Sequence, residues 1–470
     1  MGANAKKRID FTEGPLFWRL VLFALPVMAT GLLQMLYNAA DKLVVGRFSG
    51  DVLALAAIGS TTYIAGFLIN FMTGIGAGAG VVVAQAFGAK DNERTSRAVH
   101  TSLKLSFVMA LAFTAVSYII AEPLLILLGT TPELMSRALL YLRIYFVGIV
   151  ATAVYNFSSA IFRAIGDSKT PLVIGTVAGF MNVVLNLFFV IVCKMSVEGV
   201  SIATVISQYF SAITAIVILA KRRGESYCFS FKKFKFDIPL LKRILRIGIP
   251  TGLQSTCFSI TNMTTTSAIN TFSTEYVTAF SVSGNIDGML DVCAGAFMQS
   301  SLNATGQNFG AGKYKRIRKV FIYSLIQSMV LMFVFANTLR IFRAELGALF
   351  IDADDPNFDA IVAAVVEWTG VMLATYFLQG SMNAVLGTVR GLGYSLSPLI
   401  LNLIGVCGSR IAWVYLVFPL EPFHNFGGLA LLYPVSWGLT SLLLAIIAFV
   451  AFKKLGRFEK QRAERLEEAI

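Results

Sequence analysis

The feature that most constrains this chain is a succession of long apolar runs. Twelve of them are readable, at about 15–40, 52–75, 98–121, 138–161, 171–193, 199–220, 243–268, 277–301, 319–341, 364–388, 398–419 and 428–452. A membrane-spanning helix needs about 20 mostly apolar residues. A barrel strand needs about 10, with alternating polarity. The runs therefore predict helices, which bond every backbone group within their own segment, as lipid requires. Composition agrees: 56% of the 470 residues are hydrophobic and 14% are charged, where a soluble domain carries about 25%. The mean hydropathy is +0.72. Several soluble domains are excluded on this ground, as is intrinsic disorder. The first run begins near Pro15 after a basic start and continues too far for a secretory signal, so it reads as a span.

An even number of spans puts both termini on one side. About 31 of the 39 Lys and Arg residues then fall at the termini or in even-numbered loops, the pattern of a cytoplasmic face. The strongest cluster is the middle loop, with Lys221, Arg222, Arg223, Lys232, Lys233, Lys235, Lys242, Arg243 and Arg246. The opposite side carries the acidic loop Asp352, Asp354, Asp355 and Asp359. The expectation is a multi-pass protein of a bacterial plasma membrane with cytoplasmic termini. The net charge of +13 is then a topology signal. No basic tract is interleaved with stacking aromatics, so no nucleic-acid partner is expected. Five scattered Cys and two His leave no zinc or redox spacing, and no cofactor is expected. A Walker-type phosphate loop is missing, as are HExxH and GxSxG motifs, which argues against an ATP-driven pump and against an enzyme.

The chain repeats itself. Gln85-Ala86-Phe87-Gly88-Ala89 returns as Gln307-Asn308-Phe309-Gly310-Ala311, 222 residues later. Arg163-x-x-Gly166-x-Ser168-x-x-Pro171 returns as Arg390-x-x-Gly393-x-Ser395-x-x-Pro398, 227 residues later, and Asn156 and Asn383 keep that offset. Pro26 corresponds to Pro250, 224 residues on. Matches in register with drifting offsets mean two homologous six-span halves. Six is even, so the halves share one orientation and a pseudo-twofold axis along the membrane normal. The expected division is a lobe over 1–220, a basic linker over 221–242 and a lobe over 243–470. Duplicated bundles of this kind are the design of alternating-access carriers.

Charged residues within spans mark function, because they are expensive in lipid. Asp41 lies at the far end of the first run, on one helical face with Gln34 and Asn38 at i, i+4, i+7 spacing. It lowers its cost by binding a proton, sodium or a substrate cation, or else by pairing with Lys42 or Arg47. The fifth span carries Asn182 and Asn186, and the sixth a stripe of Ser201, Thr204, Gln208 and Ser211. These are oxygen ligands suited to a hard cation, or interhelical hydrogen-bonding groups. The eighth span carries Asp287 and Asp291 at i, i+4, which form a second cation-binding patch or pair with Arg410 of the eleventh. The seventh span is unusually polar, from Gln254 through Ser259 and Asn262 to Ser267, and is expected to face protein or water. Tyr37, Asn156, Asn262 and Asn383 complete the candidate cavity residues. Pro26 and Pro250 are candidate helix bends. Gly74, Gly76, Gly78 and Gly80 permit close helix packing or a local break.

The span count, the paired loop motifs and the segment Leu36-Tyr37-Asn38-Ala39-Ala40-Asp41 resemble the multidrug and toxic compound extrusion (MATE) transporters. They are most similar to the DinF-type bacterial branch. The resemblance implies two six-helix lobes in a V and export of amphipathic, mostly cationic compounds by antiport with H+ or Na+. It brings Asp41, Asn182, Asn186 and Thr204 together in the N-terminal lobe, with Asp41 as the coupling aspartate and the one place for a sodium ion. Where the DinF-type pattern commonly has a second aspartate, this chain has Asn186. Partners are then membrane lipids and small-molecule substrates, and a monomer is expected. The rival is a lipid-linked oligosaccharide flippase of the same superfamily, whose cavity would be cationic.

Overall fold

The computed structural model describes residues 8–48, 51, 53–230, 236–352 and 354–467. Lys232, Lys233 and Lys235, and the side chains of Lys42 and Ser259, lie outside the described residues. The long helices are α1 (Leu16–Phe48), α2 (Ala54–Gly88), α3 (Asn92–Leu127), α4 (Pro132–Ala164), α5 (Lys169–Leu187), α6 (Val197–Lys221), α7 (Ile238–Ile269), α8 (Thr274–Gly310) and α9 (Tyr314–Ile341). They are followed by the short α10 (Arg343–Ala348), then α11 (Phe358–Ala374), α12 (Tyr376–Gly391), α13 (Leu396–Asn402), α14 (Ser409–Ala412), α15 (Phe426–Ala430) and α16 (Leu432–Glu467). Among the described residues nine helical segments are long and apolar enough to cross a membrane. A tenth span is the pair α11 and α12, bent by 44° at Thr375. The two remaining spans are α7 and α8. They are the most polar of the set, and much of that polarity is turned to protein: Gln254, Thr256, Thr261, Ser283, Ser300, Ser301 and Asn303 are buried. The fold is all-α, with twelve spans in two six-helix lobes.

The duplicated motifs are helix stops. At the end of α2, Lys90 is left-handed (φ 56°), and Asp91 N–H donates back to Ala86 O at 3.3 Å. At the end of α8, Gly312 (φ 66°) and Lys313 N–H to Asn308 O at 2.9 Å repeat that geometry. At the end of α4, Gly166 (φ 86°) is followed by Asp167 N–H to Phe162 O at 2.8 Å; after α12, Gly393 (φ 97°) is followed by Tyr394 N–H to Val389 O at 3.2 Å. This six-to-one bond across a left-handed residue satisfies the last free carbonyls of a helix. A side chain at Gly166 would also collide with the Ile9 backbone, whose N–H donates to Gly166 O at 2.9 Å.

The compact units do not follow a single cut through the chain. The first contains the chain up to Asp10 and Ala29–Gly252; the second contains Phe11–Met28 and Leu253–Ile470. Both α1 and α7 therefore change hands two residues after an internal proline, Pro26 and Pro250. A proline inside a helix removes one backbone hydrogen bond, which makes these the weakest points of the two helices.

In the second unit the start of the chain is held by Gln307, which accepts from Phe11 N–H at 3.1 Å, and by Asn308, which donates to Phe11 O at 3.1 Å. Ser300 donates to Leu20 O at 3.0 Å, and Gln327 to Phe17 O at 2.8 Å. In the first unit the start of α7 is held by Gln85, which accepts from Arg243. Its backbone lies directly on α2: a Cβ on Gly78 would stand 2.6 Å from Gly248 N, and one on Gly252 would stand 2.7 Å from Phe71 O. The Gly74–Gly78 and Gly248–Gly252 pairs are the small-xxx-small surfaces that let membrane helices touch backbone to backbone. The glutamine of each Q-x-F-G-A motif thus anchors the helix half that its unit receives.

Candidate functional site

Within the first unit, α1, α5 and α6 bring four side chains into one chain of contacts. The half-buried Asp41 accepts a short hydrogen bond from Asn186 Nδ2. Asn186 also lies 3.5 Å from Asn182 Oδ1, and Asn182 Nδ2 donates to Thr204 Oγ1 at 3.4 Å. Asn186 is fully buried and Asn182 nearly so. Spacing of i, i+4 on α5 puts both carboxamides on the face that meets α1 and α6. The helix then widens: a π-helical turn, Phe188–Val192, begins two residues after Asn186. Such turns recur at functional positions, because the extra residue re-aims the preceding side chains.

Tyr37 fixes α1 against α5. Its ring occupies the space a side chain at Gly179 would need, and its hydroxyl donates to Thr176 O at 3.2 Å. Tyr155 similarly donates to Pro171 O at 3.0 Å. Tyr141 of α4, stacked on Tyr145 at 5.9 Å, lies within electrostatic reach of Asp41. Tyr141 was not among the sequence candidates, although its i, i+4 spacing with Tyr145 marks a face. Other sequence candidates lie apart from the Asp41 group. Gln34 and Asn38 are exposed on α1. Asn156 donates to Thr73 Oγ1 at 3.3 Å. Ser201 turns back onto Val197 O and Glu198 O, both at 3.0 Å, and Gln208 lies against Gly148.

The second unit holds the other charged set. Asp287 accepts from Tyr376 Oη at 2.8 Å, and Asp291 accepts from Gln379 Nε2 at 2.8 Å. Arg410 is buried; it donates to Asn262 Oδ1 at 3.3 Å and Ser436 Oγ at 3.2 Å, and it stacks over Tyr433 at 4.6 Å. Its charge is felt at Asp287, yet no ion pair within 4.0 Å joins Arg410 to a carboxylate among the described residues. Of the two arrangements open from sequence, direct pairing with Arg410 is the one the geometry does not make. Asn383 donates to Gln379 O at 3.1 Å. Two π-helical turns, Leu403–Gly408 and Trp413–Val417, bracket the α14 turn that carries Arg410. Tyr376 and Gln379, which the sequence reading missed, share a face of α12 with Asn383 at i, i+3, i+7.

The family model described as MatE matches the chain twice, over residues 26–188 and 250–416. The chain belongs to the MatE family. Each match begins at one of the two crossover prolines, so the family unit is the repeat itself. Among similar proteins is a probable multidrug resistance protein, YpnP, of Bacillus subtilis, 30% identical over 85% of this chain and 87% of its own length. A protein named FAD transporter from Shewanella oneidensis is 22% identical over 96% of this chain and 97% of its own. Among solved structures, a MOP superfamily transporter from Pyrococcus furiosus matches with a TM-score of 0.89 at 20% identity, covering 96% of this chain and 99% of that one.

Proposed function

We propose that the protein is a secondary-active multidrug efflux transporter of the bacterial plasma membrane, with both termini cytoplasmic, working as a monomer. It exports amphipathic, mostly cationic compounds by antiport with H+ or Na+ through alternating access. The observation that carries this reading is the single carboxylate of α1, Asp41, set against the buried carboxamides Asn186 and Asn182 with Thr204 behind them. An acid at that depth is stable when a cation shares it. The same acid is the electrostatic partner a cationic substrate needs. Ion and substrate therefore compete for Asp41, and the ion gradient biases the two conformations through that difference in occupancy.

Asp41, Asn182, Asn186 and Thr204 offer the oxygen donors that a sodium ion takes. The geometry favours a proton. Asn186 turns its N–H side to Asp41, while its Oδ1 accepts no hydrogen bond among the described residues. A protonated Asp41 supplies the missing donor, and a sodium ion would require the carboxamide to turn over. The relatives named as multidrug resistance proteins support the substrate class. Pro26 and Pro250, at the points where α1 and α7 change units, are the proposed hinges.

The test is transport by purified protein in liposomes loaded with a cationic dye, first under an imposed proton gradient and then under a sodium gradient. The reading expects flux with the proton gradient. Flux in neither gradient, with the protein folded, would favour the lipid-linked flippase or an anionic substrate.

A further inference from the structure

We infer that Cys257 and Cys407 form a redox-sensitive thiol pair in the second unit, which a membrane-permeant quinone takes to a disulfide and a thiol reductant reopens. All five cysteines are free thiols in this structure. Cys407 Sγ donates to Cys257 O at 3.7 Å, across 150 residues of chain. The acceptor belongs to the other cysteine itself, and the Cys407 thiol lies within electrostatic reach of the Cys257 thiol. Spacing along the sequence gives no redox motif, because the pair exists only where α7 lies along the eleventh span, Leu396–Val417. Both cysteines are partly exposed, so a small reagent reaches them.

The elements that carry the pair favour a bond between them. Cys407 stands in the π-helical turn Leu403–Gly408. Such a turn holds one residue more than an α-helical turn, which lets the side chains on it be re-aimed while the span stays helical. Cys257 stands on α7 beyond Pro250, in the half that belongs to the second unit. The next contact along the same two elements is Arg410 to Asn262 Oδ1 at 3.3 Å. The other three cysteines have different surroundings. Cys193 is exposed just after the π-helical turn of α5, and Cys293 is buried on α8. Cys228 donates to Ala220 O at 3.5 Å and to Phe229 O at 3.7 Å.

The step balances on the two thiols and the quinone. Two S–H bonds break and one S–S bond forms; two electrons and two protons pass to the quinone, which leaves as a quinol. The oxidant is lipid-soluble because both cysteines lie within apolar spans. The disulfide replaces a weak hydrogen bond by a covalent tie between α7 and the eleventh span. Pro250 is the proposed hinge of α7, so a tie beyond it fixes the moving half of that helix and stops the cycle. The brake rests on the transport reading and on that hinge; the bond itself does not.

The test is oxidation of the purified protein in liposomes, with diamide and separately with duroquinone, whose fully substituted ring does not add thiols. Remaining thiols are alkylated, and the digest is read by mass spectrometry. Each oxidant is expected to give a linked Cys257–Cys407 peptide pair that dithiothreitol reopens, with Cys193, Cys228 and Cys293 alkylated. Gradient-driven dye flux should fall on oxidation to the level seen with no gradient imposed, and return with dithiothreitol. Cys257→Ala and Cys407→Ala should keep their flux through the same treatment. Reversal in the wild type carries the test should either variant not fold. The inference is overturned if no linked pair forms while both thiols stay alkylatable, or if the linkage joins other cysteines. It is also overturned if diamide forms the bond and duroquinone does not, or if the linked protein transports as well as the reduced one. Normal linkage with no dye flux in either state would remove the transport reading instead. The tie is then read as a rise in unfolding temperature, since a cross-link restrains the unfolded chain, and the lack of a rise would overturn it.

Discussion

The two units share a helical plan and differ in charge. Each receives the first half of a helix from the other's sequence and anchors it with the glutamine of the same motif, Gln85 or Gln307. In the first unit the polar group is one acid among neutral amides and a hydroxyl. In the second it is two acids and an arginine, each held by a different neutral partner. Duplication has preserved the parts that end helices and seat the exchanged halves. The charged groups differ between the units, because a motif that caps a helix is needed in both while a charged side chain is not.

The largest effect expected from this contrast is on transport. Asp41→Asn should bring gradient-driven flux down to the level seen with no gradient imposed, since the ion then has no competing site. Asp287→Asn should reduce it less, since that acid is offset by Arg410. Equal losses in the two variants would erase the distinction between the units. Next is the seat of the exchanged halves. Gly78→Val puts side-chain atoms into the backbone of Gly248 and should cost about 1–3 kcal/mol, as overpacking does. In the second unit Ser300→Ala removes a single bond to Leu20 O and should cost about 1 kcal/mol. Thermal unfolding in lipid or detergent reads both. Gln85→Leu strips a charged donor, Arg243, of its acceptor, while Gln307→Leu strips a neutral N–H. The first should therefore destabilise more, by about 1.5–3 kcal/mol against about 1.

The smallest effect lies at the loop end of the first unit. Asp51 accepts from Arg137 at 2.7 Å and from Ser196 at 3.0 Å, and the guanidinium holds its carboxyl below the usual carboxylate range. A depressed acid adds stability above its unfolded-state pKa and loses it as pH falls through the folded-state value. Both side chains are partly exposed, so the contribution should stay under about 1 kcal/mol. Wild type and Asp51→Asn should differ slightly near neutral pH and converge in acid.

Much of the fold was legible in the sequence, for definite reasons. Span lengths and duplicated stops are local signals, and Gly166 and Gly393 announce themselves because only a left-handed residue closes those caps cheaply. Helical periodicity also put Asn182 and Asn186 on one face, while their meeting with Thr204 was implied by the family resemblance alone. Periodicity gives a face and not a rotamer, however, so Ser201 read as a cavity hydroxyl although it bonds to its own helix. The exchange of helix halves was invisible, because Pro26 and Pro250 mark a weak point without saying which unit each side joins. Gln379 was passed over because a lone glutamine in a span has no pattern. Its meaning comes from Asp291, which is 88 residues away in the chain.

The central claim is that substrate and ion compete for Asp41. It is tested most directly by adding a cationic dye to purified protein in weakly buffered solution while following pH. The account predicts that dye binding releases protons from the wild type, and that Asp41→Asn binds more weakly and releases fewer. Dye binding without proton release from the wild type, or undiminished release from Asp41→Asn, would contradict it.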